Sequence, residues 1–166
     1  MSKSASMDIE SDVNWNEFEN AVNQASKEAT SRYDFKGSTA NIEYNKVDKF
    51  VKLSAENEMK LSALESILAT KLAGRGVDSR CLKGEKIETA SHKEVRQKFT
   101  ISSGLSKDDA REIVKKIKEF DPKSQASIND TKIKVTGKGR DELQAVRQFL
   151  MENVKNVALQ FTNFKS

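Results

Sequence analysis

Apolar residues recur along this chain at two spacings, and each switch between them predicts a change of element. Ile9 and Val13 alternate with Asp8, Glu10 and Asp12, which predicts a strand over Asp8–Val13 with an acidic outer side. Trp15, Phe18, Val22, Ala25 and Ala29 then fall three and four apart, one face of a helix reaching to Arg32. Ala40, Ile42 and Tyr44 predict a second strand, and the polar turn Asn45–Asp48 leads to a third. On that third strand Val51 and Leu53 face one way, Phe50 and Lys52 the other. Leu61, Leu64, Leu68 and Leu72 predict a second helix, ended by Gly74 and Gly76. A weaker segment, Val77–Ile87, closes this half.

The second half repeats the order. Val95, Phe99 and Ile101 alternate with Arg96, Lys98 and Thr100 on a strand. Ser106-Lys107-Asp108-Asp109 reads as a capping box opening a helix through Ala110, Ile113, Val114 and Ile117, which stops before Pro122. Strands follow over Ser124–Asn129 and Thr131–Thr136, then a helix from Asp141 and a last strand over Leu159–Phe164. Each half therefore reads strand-helix-strand-strand-helix-strand, the order of a split βαβ unit. The expected class is α+β: a tandem of two ferredoxin-like (RNP/RRM-like) domains, 8–90 and 91–166, each an antiparallel sheet with its helices on one face.

Composition agrees with thin layers. Apolar residues make up 36% of the chain and charged residues 33%, which suits sheets that keep one wet face. The net charge of +4 is unevenly spread: residues 1–90 carry 13 Lys+Arg against 15 Asp+Glu, residues 91–166 carry 16 against 10. A basic second half suits a phosphorylated or polyanionic partner. Cys81 is the only cysteine, so no intrachain disulfide forms, as expected in a reducing cytosol. The opening residues are polar and no run approaches the ~20 apolar residues of a membrane helix, so the expected location is cytoplasmic, with no membrane partner.

The richest stretch for binding chemistry is Lys132–Val146. A strand with Lys132 and Lys134 on its outer side runs through Gly137 and Gly139, carrying Lys138 and Arg140, into a helix. Such a unit can present several cations to a phosphate, aided by N–H groups at the helix start. RRM domains read single-stranded RNA with aromatics on the open face of the sheet. Here the second half offers Arg96, Lys98, Lys132 and Lys134 without an aromatic, and the first half offers Phe50 beside Lys52. Lysine rows without rings hold phosphate but read no base. In Arg32-Tyr33-Asp34-Phe35 a guanidinium and a ring could sandwich a base while the carboxylate takes an exocyclic N–H. Tyr33 or Phe35 could equally plug the end of the first core.

Catalysis finds little support. His92, the only histidine, stands beside Lys93 in a connector, and Cys81 has no histidine near it in sequence. Neither metal-ligand spacing nor a phosphate-binding or dinucleotide glycine motif is present. The expectation is a non-enzyme without cofactor or metal.

Several stretches together resemble one bacterial family. Asp8-Ile9-Glu10-Ser11-Asp12-Val13, Ser31-Arg32-Tyr33-Asp34-Phe35-Lys36, the run from Lys134 to Val146 and the closing Gln160-Phe161-Thr162-Asn163-Phe164-Lys165 resemble the YajQ family, in order, over nearly the whole chain. One departure is Tyr33, where phenylalanine is common. The resemblance implies two tandem ferredoxin-like domains of ribonucleoprotein type and allows their first strands to be exchanged. With exchange, Arg96 and Lys98 would sit near Phe50 and Lys52, and Asp8, Glu10 and Asp12 near the Lys132 row. Without it, Arg96 and Lys98 would join Lys132 and Lys134. The sequence leaves both pairings open. The family is described as nucleotide-binding, with association with RNA and, for some members, cyclic di-GMP, and has no established enzymatic activity. The expected function is therefore non-catalytic binding of RNA or a signalling nucleotide such as cyclic di-GMP or a GTP-like ligand. Candidate residues are Arg32, Tyr33, Asp34, Phe35, Phe50, Arg96, Lys98, Lys132, Lys134, Lys138 and Arg140. The alternative is a protein–protein adaptor for a transcription or translation factor.

Overall fold

The computed structural model describes residues 4–32, 40–90 and 93–166. In chain order the elements are β1 (Ala5–Glu10), α1 (Trp15–Ser31), β2 (Ala40–Asn45), β3 (Phe50–Ala55), α2 (Glu58–Gly74), β4 (Leu82–Gly84), β5 (Glu88–Thr89), β6 (Val95–Ile101), α3 (Lys107–Phe120), β7 (Gln125–Asn129), β8 (Lys132–Gly137), α4 (Arg140–Asn153) and β9 (Gln160–Lys165). They build two antiparallel sheets, each with two helices, a tandem of ferredoxin-like units.

The sheets do not follow the two halves of the chain. β1 lies between β8 and β9, giving the order β7-β8-β1-β9, while β6 lies between β3 and β4, giving β2-β3-β6-β4 with β5 also on β6. One compact unit is contiguous, Val13–Ser102; the other is discontinuous, combining the chain up to Asp12 with Ser103–Ser166. The discontinuous unit runs strand-helix-strand-strand-helix-strand with the contiguous unit inserted after its first strand. The contiguous unit is the same fold in permuted order, its β6 taking the place of a first strand.

β1 starts and ends earlier than the Ile9–Val13 alternation predicts. Ala5, Met7 and Ile9 are its buried positions, packed with Ile133 and Val135 of β8, Ile113 and Ile117 of α3, and Leu143, Val146 and Leu150 of α4. Val13 instead joins the other core. Asn14 caps α1 by accepting from the Glu17 N–H at 3.2 Å, which places Val13 just before the cap and Phe18 in the first turn, both buried in one cluster. A capping arrangement thus removes Val13 from the strand.

The contiguous core joins Phe18, Val22 and Ala25 of α1 with Leu61, Leu64, Leu68 and Leu72 of α2, over Val51 and Leu53 of β3 and Val95, Phe99 and Ile101 of β6. Each buried leucine or phenylalanine there contributes about 1.5–3 kcal/mol relative to exposure. α2 ends where the glycines predict. Gly76 has φ +76°, its N–H and that of Val77 closing onto the Ala73 and Leu72 carbonyls at 3.0 and 2.8 Å. The weak Val77–Ile87 segment becomes a 3-10 turn at Ser79–Cys81 followed by β4. β4 presses close to β6 at Gly84, where a Cβ would meet the Phe99 ring at 3.1 Å and Gln97 Nε2 at 2.8 Å. The hydroxyl half of the predicted capping box is present: Ser106 Oγ accepts from the Asp109 N–H at 3.1 Å. No helix among the described residues is long and apolar enough to cross a membrane.

Candidate functional site

Because strands alternate their side chains, each sheet turns a row of residues away from its helices. In the contiguous unit the two central strands are β3 and β6. Val51, Leu53 and Ala55 of β3 are buried, so Phe50, Lys52 and Ser54 point to the open side. Val95, Phe99 and Ile101 of β6 are likewise buried, leaving Arg96, Lys98 and Thr100 on the same open side. The register sets Phe50 opposite Thr100, Lys52 opposite Lys98 and Ser54 opposite Arg96. On the flanking strands Glu43 faces Lys52, Lys83 faces Thr100 and Glu88 faces Arg96.

Phe50, the first residue of β3, is the aromatic of this face. Lys98 Nζ stands 4.5 Å from its ring centroid and Lys52 Nζ 5.8 Å. Arg96 reaches Glu88 at 3.8 Å. Among the described residues neither Lys52 nor Lys98 has an ion-pairing carboxylate. Like charges directly opposite on neighbouring strands destabilise a sheet, and a cation over a half-buried ring recovers only about 1 kcal/mol. A base stacked on an aromatic is worth about 1–3 kcal/mol, so a ligand with both a flat ring and an anion would relieve the row and improve on its present contacts.

The hairpin leading into Phe50 is firmly held. Asn45 Oδ1 accepts from the Val47 and Asp48 N–H groups at 3.0 and 2.9 Å. Lys46 pairs with Glu19 of α1, and Lys49, in the left-handed region at φ +57°, places its ammonium 4.1 Å from the Trp15 ring centroid.

The discontinuous unit answers with a different row. β1 brings Asp8 opposite Lys134, and Lys132 Nζ reaches Glu10 at 2.8 Å. The Glu10 carboxylate, hydrogen-bonded to that ammonium, holds Lys132 above its ordinary pKa. Asn163 Nδ2 donates to Asp8 at 3.0 Å and Gln160 Nε2 to the Asp12 carbonyl at 2.8 Å. This face is closed on itself by charge and hydrogen bond.

The sequence candidates are therefore divided. Phe50, Arg96 and Lys98 share one sheet face; Lys132 and Lys134 lie on the other sheet. The reading that grouped Arg96 and Lys98 with the Lys132 row is corrected by the β3–β6 register. Lys138 and Arg140 are exposed where β8 passes into α4. Gly139 caps α4 without a side-chain bond, and Asp141 and Glu142 already occupy its first turn, placing negative charge where a phosphate would otherwise meet the helix dipole. Arg32 is the C-cap of α1, its N–H donating to the Glu28 carbonyl at 2.9 Å. Tyr33, Asp34 and Phe35, and also His92, lie outside the described residues.

Three residues of the face, Thr100, Lys83 and Lys52, lie beyond the sequence candidates. Thr100 alternates correctly but carries no charge to mark it. Lys83 sits on a three-residue strand too short to give a period. Lys52 was visible beside Phe50, though only its neighbour was singled out. Cys81 is buried, and burial first, then the nearby Asp78 charge, pushes its thiol up to about 11, so it is no nucleophile at neutral pH.

Comparison with known proteins matches residues 5–165 to a family model described as "Nucleotide-binding protein YajQ-like". The chain is 38% identical over 165 residues to a nucleotide-binding protein of Chloroherpeton thalassium, covering 99% of this chain and 100% of the relative. Nucleotide-binding proteins of an Exiguobacterium species and of Endomicrobium trichonymphae are 43% and 44% identical over the same 165 residues and the same shares of each chain. With the family model spanning both units and relatives aligned from end to end, this chain belongs to the YajQ family.

Proposed function

We propose that the protein binds a nucleotide, as a segment of RNA or as a signalling nucleotide of the cyclic di-GMP or GTP kind, on the open face of its contiguous unit, without catalysis. One observation carries the reading: Phe50, on a central strand, has the ammoniums of Lys98 and Lys52 at 4.5 and 5.8 Å from its ring centroid, and neither lysine is ion-paired among the described residues. The ring supplies a stacking platform, the two ammoniums a cradle for one phosphate, and Arg96 and Lys83 extend the positive row toward the sheet edge. The names of the relatives, nucleotide-binding proteins, support the same ligand class. Among the described residues the one buried polar side chain is Ser124, in the other unit, so the face favours phosphate and stacking over base identity.

Titration calorimetry of the nucleic-acid-free protein against cyclic di-GMP, GTP and a short single-stranded RNA, each at two salt concentrations, tests this. At least one should give saturable binding that Phe50→Ala weakens about tenfold. No heat with any of the three, or binding indifferent to Phe50, overturns the reading. Incubation with Mg²⁺ and the bound ligand should leave it intact.

A further inference from the structure

The ring that would take a base is already covered. Lys98 Nζ stands 4.5 Å from the Phe50 centroid, closer than Lys52 at 5.8 Å, and the two lysines face each other across β3 and β6. Glu43 lies opposite Lys52 and Glu85 beside Lys98, but neither comes within ion-pair distance, and the Lys98 ammonium turns instead to the negative face of the Phe50 ring.

We infer that Lys98 is the specificity-determining residue of this face, admitting nucleoside phosphates and excluding unphosphorylated bases and nucleosides. The inference rests on the reading of the face as a nucleotide site. A nucleoside brings a ring but no anion, so to stack on Phe50 it must displace Lys98 from the ring and offer its ammonium nothing in return. A nucleotide brings both groups on one scaffold: as the base takes the ring, the phosphate receives the displaced ammonium and Lys52 beside it. Inorganic phosphate engages the lysines but gains nothing from the ring. Base and phosphate therefore reinforce each other only when covalently joined, and the ligand class is a nucleoside phosphate ester, including a phosphodiester segment with one unpaired base.

The experiment compares the wild type with Lys98→Met, which keeps the length and apolar stem but removes the charge. Each protein is titrated with the four common ribonucleosides, their 5′-monophosphates and inorganic phosphate, with calorimetry as the readout and a thermal melt to confirm folding. The wild type should bind at least one 5′-monophosphate about tenfold or more tightly than its nucleoside. In Lys98→Met nucleoside binding should strengthen about threefold or more and the ratio shrink accordingly. Nucleoside binding that is unchanged or weaker in Lys98→Met overturns the inference, as does a wild type that binds no 5′-monophosphate. Phe50→Ala separates the two levels of the argument. If it weakens 5′-monophosphate binding while Lys98→Met fails to improve nucleoside binding, the face stands and the gating role of Lys98 falls. If it changes nothing, the underlying reading falls as well.

Discussion

On β1 and β8 of the discontinuous unit Asp8 faces Lys134 and Glu10 ion-pairs with Lys132, whereas on β3 and β6 of the contiguous unit Lys52 faces Lys98 beside Phe50. The two units share one fold, and these are the same central positions of it. Much of the difference lies in which side chains the incoming strand contributes: β1 delivers carboxylates to a lysine strand, β6 delivers cations to a strand that already carries Lys52. One face holds an ion pair, Lys132 with Glu10; on the other neither Lys52 nor Lys98 is ion-paired among the described residues, although Glu43 lies opposite Lys52. The duplicated fold therefore offers one nucleotide face per chain on this reading, and the contrast is open to direct manipulation.

The largest effect should come from writing the first pattern into the second. Lys98→Glu would set a carboxylate opposite Lys52 on β6, as Asp8 stands opposite Lys134, in addition to Glu43 on β2. Nucleotide affinity should fall about 100-fold or more, since a like charge then meets the phosphate. Folding stability should rise by about 0.2–1 kcal/mol from the new cross-strand pair. Calorimetry and a thermal melt report the two together, and a variant that loses stability without losing affinity would break the comparison. Next in size is Phe50→Ala. It removes the platform but leaves the cations, so affinity should drop about tenfold while the salt dependence keeps its slope. Equal loss at all salt concentrations is the signature to seek; a flattened slope would mean that the ring serves only to place Lys98.

How much of this was legible in the sequence differs between elements and partners. The helices and most strands follow from apolar spacing, because Phe18, Val22 and Ala25 or Leu61, Leu64 and Leu68 must share a face to be buried at all. Spacing says nothing about pairing. Ile9 alternates equally well whether its strand joins Leu53 or Ile133, and only the register places it on Ile133. The candidate site inherits that limit: Arg96 and Lys98 were visible as cations on a strand, but their company, Phe50 instead of Lys132, is a three-dimensional fact. Val13 shows a local limit of another kind, where a helix cap at Asn14 takes a residue that the alternation assigns to a strand. Lys83 was hidden because a strand of three residues has no period to read.

Two smaller perturbations sharpen the comparison from the opposite side. Asp8→Asn with Glu10→Gln would strip the carboxylates from the discontinuous sheet and leave Lys132 and Lys134 facing neutral side chains. At low salt single-stranded RNA affinity should rise about threefold, with the slope of log K against log salt steeper by about 0.7 for each phosphate newly held. Unchanged binding would show that the carboxylates are not what silences this face.

The smallest effect is expected where the sequence looked most promising. Lys138 and Arg140 are exposed beside the start of α4, and a phosphate held there would draw on two cations and the helix dipole. The first turn of that helix already contains Asp141 and Glu142, and Gly139 provides no side-chain cap that would shape a cradle. The carboxylates offset both cations and already meet the helix dipole. Lys138→Ala with Arg140→Ala should accordingly weaken RNA or nucleotide binding less than about twofold and flatten the salt slope by under ~0.3. If each cation held its own phosphate, the slope would instead flatten by about 1.4. That result would move the phosphate contacts to the discontinuous unit and leave Phe50 with a stacking role alone.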